Sequence, residues 1–269
     1  MPSLADNPIV PGLRPLSVSA PFGNYIRPAG CTATLGTFTV HDRPGRPWRI
    51  LKTVRYYPRL KAWVNRIGLR NPGLGYVEKK VARGKLDLAD KVVSVHGFDA
   101  GEWTNLLERI GKLRPMAVEL NMSCPNVGQI DWPASLFADA VATGVPTIVK
   151  LPPVNYEQMA DSAYESGVRA FHCCNTLPVP GGGLSGAPLK PVALRCVRDL
   201  RARPWGGEVL IVGGGGVYAA GDLDDYRDAG VDAFAVGTLT MNPVLLFSHR
   251  RVVPIRERAV ALCGSIVDD

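Results

Sequence analysis

The run Val118-Glu119-Leu120-Asn121-Met122-Ser123-Cys124-Pro125-Asn126 places two carboxamides, a hydroxyl and a thiol directly after a short apolar stretch. A thiolate serves as base or nucleophile, and carboxamides both donate and accept hydrogen bonds. Pro125 has no N–H and a fixed φ, so it ends strand pairing and turns the chain where these groups are presented. A buried cysteine ordinarily packs as a small hydrophobe, but Cys124 lies amid too much polarity and reads as a site residue. Lys150 is a second anomaly, a cation inside the apolar run 147–151, where core lysines are rare without a partner. Asn175-Thr176 close another apolar run, with Gly181-Gly182-Gly183-Leu184-Ser185-Gly186 just beyond.

Glycines mark a further chemistry. Gly215-Gly216 and Gly237-Thr238 each follow an apolar run and let backbone N–H groups converge on a phosphate. Gly214-x-Gly216-x-x-Ala219 also satisfies a loose dinucleotide fingerprint, but only about one further β unit follows, too little for a Rossmann half. His96 and His172 lack metal-ligand spacing and read as structural histidines, so no metal site is expected. Cys31, Cys173, Cys174, Cys196 and Cys263 read as packing residues.

Such groups need strands to carry them. Eight β-rich runs occur, at 16–20, 33–39, 91–96, 117–120, 147–151, 170–174, 209–212 and 233–236. Amphipathic stretches at 102–112, 135–143, 156–166, 191–201 and 221–229 lie between the later ones. Strands alternating with helical patterns imply βαβ units and a parallel sheet, and eight in one chain of 269 residues predict an α/β fold, the (β/α)8 TIM barrel. No repeat or linker divides the sequence, so residues 1–269 are expected to form one domain. Only 21–32 separates the first two strands, and its Gly23, Pro28 and Gly30 leave an abbreviated first crossover. Segment 41–74, rich in Pro and Arg, is a long excursion after the second strand, expected to lie over the barrel mouth.

Composition narrows the class. A hydrophobic content of 46% supplies a core, and a charged fraction of 20% argues against disorder. No run of about 18 apolar residues suggests a membrane span, and the first 15 residues lack a secretory pattern. Six cysteines without framework spacing fit a reducing, cytoplasmic setting. Residues 41–91 carry 14 Lys/Arg against 4 Asp/Glu, yet without interleaved aromatic repeats they read as a solvated face, and a nucleic-acid partner is disfavoured.

Taken in order, the strand-end motifs, together with Asn65-Arg66-Ile67-Gly68-Leu69-Arg70-Asn71-Pro72-Gly73 in the excursion, resemble the dihydroorotate dehydrogenase family over about residues 16–246. The resemblance implies a flavin-dependent (β/α)8 barrel related to dihydropyrimidine dehydrogenase, with FMN held non-covalently. It places Cys124 as the base of the soluble class 1 enzymes, taking a proton from C5 of the dihydropyrimidine ring while a hydride leaves C6 for flavin N5. It makes Asn65, Asn121, Asn126 and Asn175, with Thr176, the substrate ligands, and Lys150 the cation beside the flavin N1–C2 edge. Ala20, Thr37, Gly186, Gly215, Gly216, Gly237 and Thr238 fall at cofactor positions, the last four at the FMN phosphate. A free thiol titrates near pH ~8.5, so unassisted activity should rise with alkaline pH.

The family pattern breaks at one point. Class 1 relatives carry a Lys where this chain has Gly36, and class 2 relatives carry an equivalent Lys where it has Asn24. That Lys meets the flavin and the orotate carboxylate, a contact contributing about 1.5–3 kcal/mol. Arg27, Lys52 and Arg66 are candidates to reach the same spot. The reading is dihydroorotate oxidation to orotate, with two alternatives: oxidoreduction of an uncharged cyclic amide or activated alkene, or a non-catalytic scaffold. RNA dihydrouridine synthesis fits less well, because that family lacks this Ser-Cys-Pro-Asn pattern. The helical quinone-binding extension of class 2 is not expected, so fumarate or a partner flavoprotein passing electrons to NAD remain candidate acceptors. By analogy with class 1, a homodimer is an expectation.

Overall fold

A computed structural model describes residues 7–45, 52–122 and 132–264. The strands in chain order begin with β1 (Leu16–Val18), β2 (Thr32–Phe38), β3 (Val54–Tyr57), β4 (Ala62–Asn65), β5 (Lys91–Val95) and β6 (Ala117–Asn121). They continue with β7 (Thr147–Lys150), β8 (Ala170–Cys173), β9 (Leu177–Val179), β10 (Gly182–Gly186), β11 (Leu210–Gly214) and β12 (Ala233–Val236). The helices are α1 (Leu74–Ala82), α2 (Ala100–Leu113), α3 (Leu136–Ala142), α4 (Glu157–Glu165), α5 (Lys190–Arg201), α6 (Asp222–Ala229) and α7 (Val253–Cys263).

Eight of the strands close a parallel barrel in the ring order β1, β2, β5, β6, β7, β8, β11, β12 and back to β1. They are the eight runs expected from the sequence, and the barrel with alternating helices is the (β/α)8 fold. The crossover from β1 to β2 holds only the 3-10 turn Phe22–Asn24, as its Pro and Gly content requires. Elsewhere local sequence explains the helices. In α2 the side chain of Asp99 accepts from the Glu102 N–H and Glu102 Oε2 accepts from the Phe98 N–H, a reciprocal cap. That cap starts a helix whose Trp103, Leu106, Leu107 and Ile110 bury one face at helical spacing.

The excursion after β2 holds structure that local pattern did not announce. β3 and β4 form an antiparallel hairpin, and β4 pairs with β10 in a four-stranded sheet ordered β3-β4-β10-β9. Since β9 follows directly on β8 through Asn175-Thr176, this sheet is attached at the carboxyl end of the barrel. Asn71 ties the excursion back to β2, donating to Thr39 Oγ1 at 3.0 Å and accepting from Gly73 N–H at 2.8 Å. Helices α1 and α7 also lay outside the expected set. In α7 apolar residues run round the helix, so no 3.6-residue stripe marks it.

Inside, the barrel is divided. Its amino-terminal half is closed by Val10, Leu13 and Met116 packed on Ala117, Ile148, Ala170, Leu210 and Ala233. Side chains alternate along a strand, so residues two positions further on face the same interior. There the sequence turns polar.

Candidate active site

Three consecutive barrel strands carry that change. Above Ala117 come Glu119 and Asn121, above Ile148 comes Lys150, and above Ala170 comes His172. Glu119 is 2% exposed, Lys150 6% and His172 5%. His172 Nδ1 lies 2.7 Å from Glu119 Oε2. Burial by itself would raise the Glu119 carboxyl, but the charge of Lys150 and the His172 hydrogen bond overcome it and hold the group at about 2. For His172, burial and the neighbouring Lys150 charge lower the proton affinity, against the opposing pull of Glu119. Among the described residues no carboxylate forms a salt bridge with Lys150. Its ammonium is therefore a buried charge with capacity for an anionic or electron-rich group.

Across the mouth runs a chain of polar side chains from four strand ends. Asn175 Nδ2 donates to Asn121 Oδ1 at 2.8 Å, and Asn121 Nδ2 donates to Thr37 Oγ1 at 2.9 Å. Thr37 Oγ1 lies 3.0 Å from Ser94 Oγ. Carboxamides supply both donors and acceptors at these positions. His96 Nδ1 lies 2.6 Å from the Asn121 carbonyl oxygen and steadies the strand end. Burial lowers the His96 proton affinity. Thr176 sits next in line, its N–H donating to Asn175 Oδ1 at 2.8 Å.

Gly215 and Gly216 follow β11 and pack against β10 and the turn after it. A Cβ on Gly216, whose φ is +69°, would stand 2.8 Å from the Gly186 carbonyl oxygen and 2.9 Å from Lys190 Cβ. Backbone of β10 and of the turn after β11 thus approach closely, with Gly215 alongside. Asp222 holds this turn, accepting from the Tyr218 N–H at 2.8 Å and the Ala219 N–H at 2.9 Å, with Lys190 Nζ at 2.6 Å. Gly237 and Thr238 follow β12, with Ser19 the neighbour of Gly237 and Ala20 just after β1.

Not every expected residue joins the cluster. Cys124 and Asn126 lie outside the described residues. Asn65 ends β4 and belongs to the four-stranded sheet, its Nδ2 3.4 Å from the Gly183 carbonyl oxygen. Glu119 and Ser94 had no expected role, and His172, expected to be structural, faces the same interior as Glu119. A carboxylate two positions before Asn121 in a strand was the signal that both share the interior face.

The two positions that depart from the family pattern bind each other. Asn24 Nδ2 donates to the Gly36 carbonyl oxygen at 3.0 Å, and the Gly36 N–H donates to Asn24 Oδ1 at 3.1 Å. Gly36 has φ +108°, and a Cβ there would meet the Ser94 carbonyl oxygen at 2.3 Å, so no lysine fits. Arg27 donates to the backbone oxygens of Gly23 and Asn24, and Arg66 to that of Pro180.

A (β/α)8 barrel with carboxamides and a buried ammonium at the carboxyl ends of its strands is the architecture of a barrel enzyme. The family model of dihydroorotate dehydrogenase matches residues 25–249. The chain is 31% identical over 264 residues to the dihydroorotate dehydrogenase B (NAD(+)) catalytic subunit of Latilactobacillus sakei, covering 86% of this chain and 83% of that one. It is 32% identical over 268 residues to the protein of that name from Petrotoga mobilis, covering 88% and 86%. Ligand-free DHODH of Eimeria tenella shares the fold at a TM-score of 0.74 and 19% identity, over 98% of this chain and 91% of that one. The chain belongs to the dihydroorotate dehydrogenase family, a family of flavoprotein oxidoreductases. No helix among the described residues is long and apolar enough to cross a membrane.

Proposed function

We propose that the protein binds FMN non-covalently and oxidises dihydroorotate to orotate. The carrying observation is the hydrogen-bonded run Asn175–Asn121–Thr37 together with the buried Lys150 ammonium, which forms no salt bridge among the described residues. The residues present fit the cofactor. Lys150 offers a positive charge where reduction of a flavin places negative charge, and the backbone of Gly215, Gly216, Gly237 and Thr238 offers donors for its phosphate. FMN, when bound, supplies at N5 the acceptor for the hydride leaving C6.

The chain's own residues supply the rest. Cys124 takes the proton from C5 of the ring, as a base whose thiolate form grows toward pH ~8.5. Asn121 and Asn175, with Asn65, Asn126 and Thr176, hold the alternating N–H and C=O groups of the ring. The relatives named for NAD(+) as catalytic subunits support electron exit to NAD through a partner flavoprotein subunit. The free thiols of Cys31, Cys173, Cys174, Cys196 and Cys263 support a cytoplasmic setting. Anaerobic addition of dihydroorotate to the FMN-loaded protein tests the proposal: bleaching of the flavin absorbance is expected, and a protein that stays yellow would sink it.

The Asn24–Gly36 clasp favours a second reading, in which the ring carries no carboxylate. It fills both family positions for the carboxylate-binding lysine with groups that neutralise each other. Activity on uncharged dihydropyrimidines and none on dihydroorotate would establish this version.

A further inference from the structure

The geometry points to the buried Glu119–His172 pair as a proton-accepting device in the barrel interior, in which His172 takes one proton from solvent when negative charge settles beside Lys150. The inference rests on the flavin reading above. Glu119, Lys150 and His172 come from three adjacent strands, β6, β7 and β8, and face one interior. Glu119 and His172 reach past the intervening strand to meet at 2.7 Å, and Lys150 rises from that intervening strand.

A barrel interior needs none of these charges for stability. Burying a carboxylate costs several kcal/mol before pairing, and an apolar layer like the floor below would serve as well. Glu119 Oε1 is buried without a hydrogen-bond partner among the described residues, so the layer is not fully satisfied. Retained charge in a dry place is better explained by use.

The balance of charge specifies that use. With Glu119 ionised, Lys150 protonated and His172 neutral, the layer sums to zero. The Glu119 carboxylate fixes the tautomer, since it accepts from His172 Nδ1–H and leaves Nε2 as the open position. The titratable groups acting on His172 are Glu119 on β6 and Lys150 on β7, with Cys174 just beyond the end of β8. Burial holds the Cys174 thiol neutral, and β11 presents Val212 in register with His172. Burial and the Lys150 charge both lower the proton affinity of His172; a negative charge arriving at Lys150 offsets the second and leaves the attraction of Glu119 intact. The proton then goes onto Nε2, the only bond formed, in addition to any proton the flavin itself takes with its two electrons.

The test uses the FMN-loaded protein, with dithionite as reductant and a reference dye reporting the reduced-to-oxidised ratio between about pH 5.5 and 8.5, the range in which histidine titrates. Within part of that range the wild type should change this ratio by an extra tenfold per pH unit relative to His172→Gln, one proton more per two electrons. Identical pH dependence in the two proteins overturns the inference. Should His172→Gln fail to fold, the wild type alone decides. Its histidine 15N spectrum on reduction should show one unprotonated Nε2 becoming protonated, and an unchanged spectrum overturns the inference. A protein showing no bound-flavin absorbance would overturn the functional reading itself, and that outcome is distinct from bound flavin with unaltered proton uptake.

Discussion

The two halves of the barrel interior are built on the same strands and obey opposite rules. In the amino-terminal half, Ala117, Ile148, Ala170, Leu210 and Ala233 pack against Val10, Leu13 and Met116 with no charge among them. Two residues further along, Glu119, Lys150 and His172 put a carboxylate, an ammonium and an imidazole into the same tube. The lower layer gains from apolar burial at about 25 cal/mol per Å². The upper layer forgoes that gain and holds charges that a barrel could do without. Stability and chemistry are thereby separated along one axis, with chemistry at the carboxyl ends.

Substitutions at the two levels should therefore fail in different ways. The steepest loss is expected for Cys124→Ala, which should lower dihydroorotate oxidation about 10²–10⁴-fold while leaving bound-flavin absorbance and the unfolding transition in place. Lys150→Met should reduce the rate of flavin reduction by about 10²–10³-fold in the protein that remains folded, as read by anaerobic stopped flow. In the floor the pattern reverses. Ile148→Ala should destabilise by about 2–5 kcal/mol in urea unfolding, with the surviving folded protein reducing flavin at the wild-type rate. A floor variant that lost chemistry without losing stability would erase the division.

Smaller effects test the edges of the contrast. Asn24→Ala removes two hydrogen bonds to the Gly36 peptide and should cost about 1–3 kcal/mol. The upper layer should also make stability depend on pH, more gradually. His172 has its proton affinity lowered from 6.5 by burial, so its contribution is full above that pH and declines below it. Glu119, held at about 2 against 4.5, contributes fully above pH 4.5 and loses that contribution as pH falls toward 2. Urea midpoints should thus fall as pH drops from 7 to 3, and Glu119→Gln should flatten the lower part of that decline.

What the sequence by itself determined was set by local pattern. Each barrel strand but β2 is a short β-rich run followed by Gly, Asn or Pro, and such runs specify themselves without reference to the rest of the chain. Asn121, Lys150 and Asn175 were legible because amides and a cation are out of place at the ends of buried strands. Gly216 was legible as a position needing unusual backbone freedom, and its φ is +69°. The hairpin of β3 and β4 was not, because its pairing partner β10 lies more than a hundred residues away: Asn65 and Gly183 are 118 apart in sequence.

Only the closed barrel decided the rest. Glu119 and His172, separated by 53 residues, become partners because ring closure turns both into one narrow interior. Asn24 meets Gly36 because the shortened first crossover folds back on β2. Nothing local marks either pairing, since a side chain's burial and its partner follow from the placement of neighbouring strands, and a histidine in an apolar run looks the same whether it packs idly or faces a carboxylate.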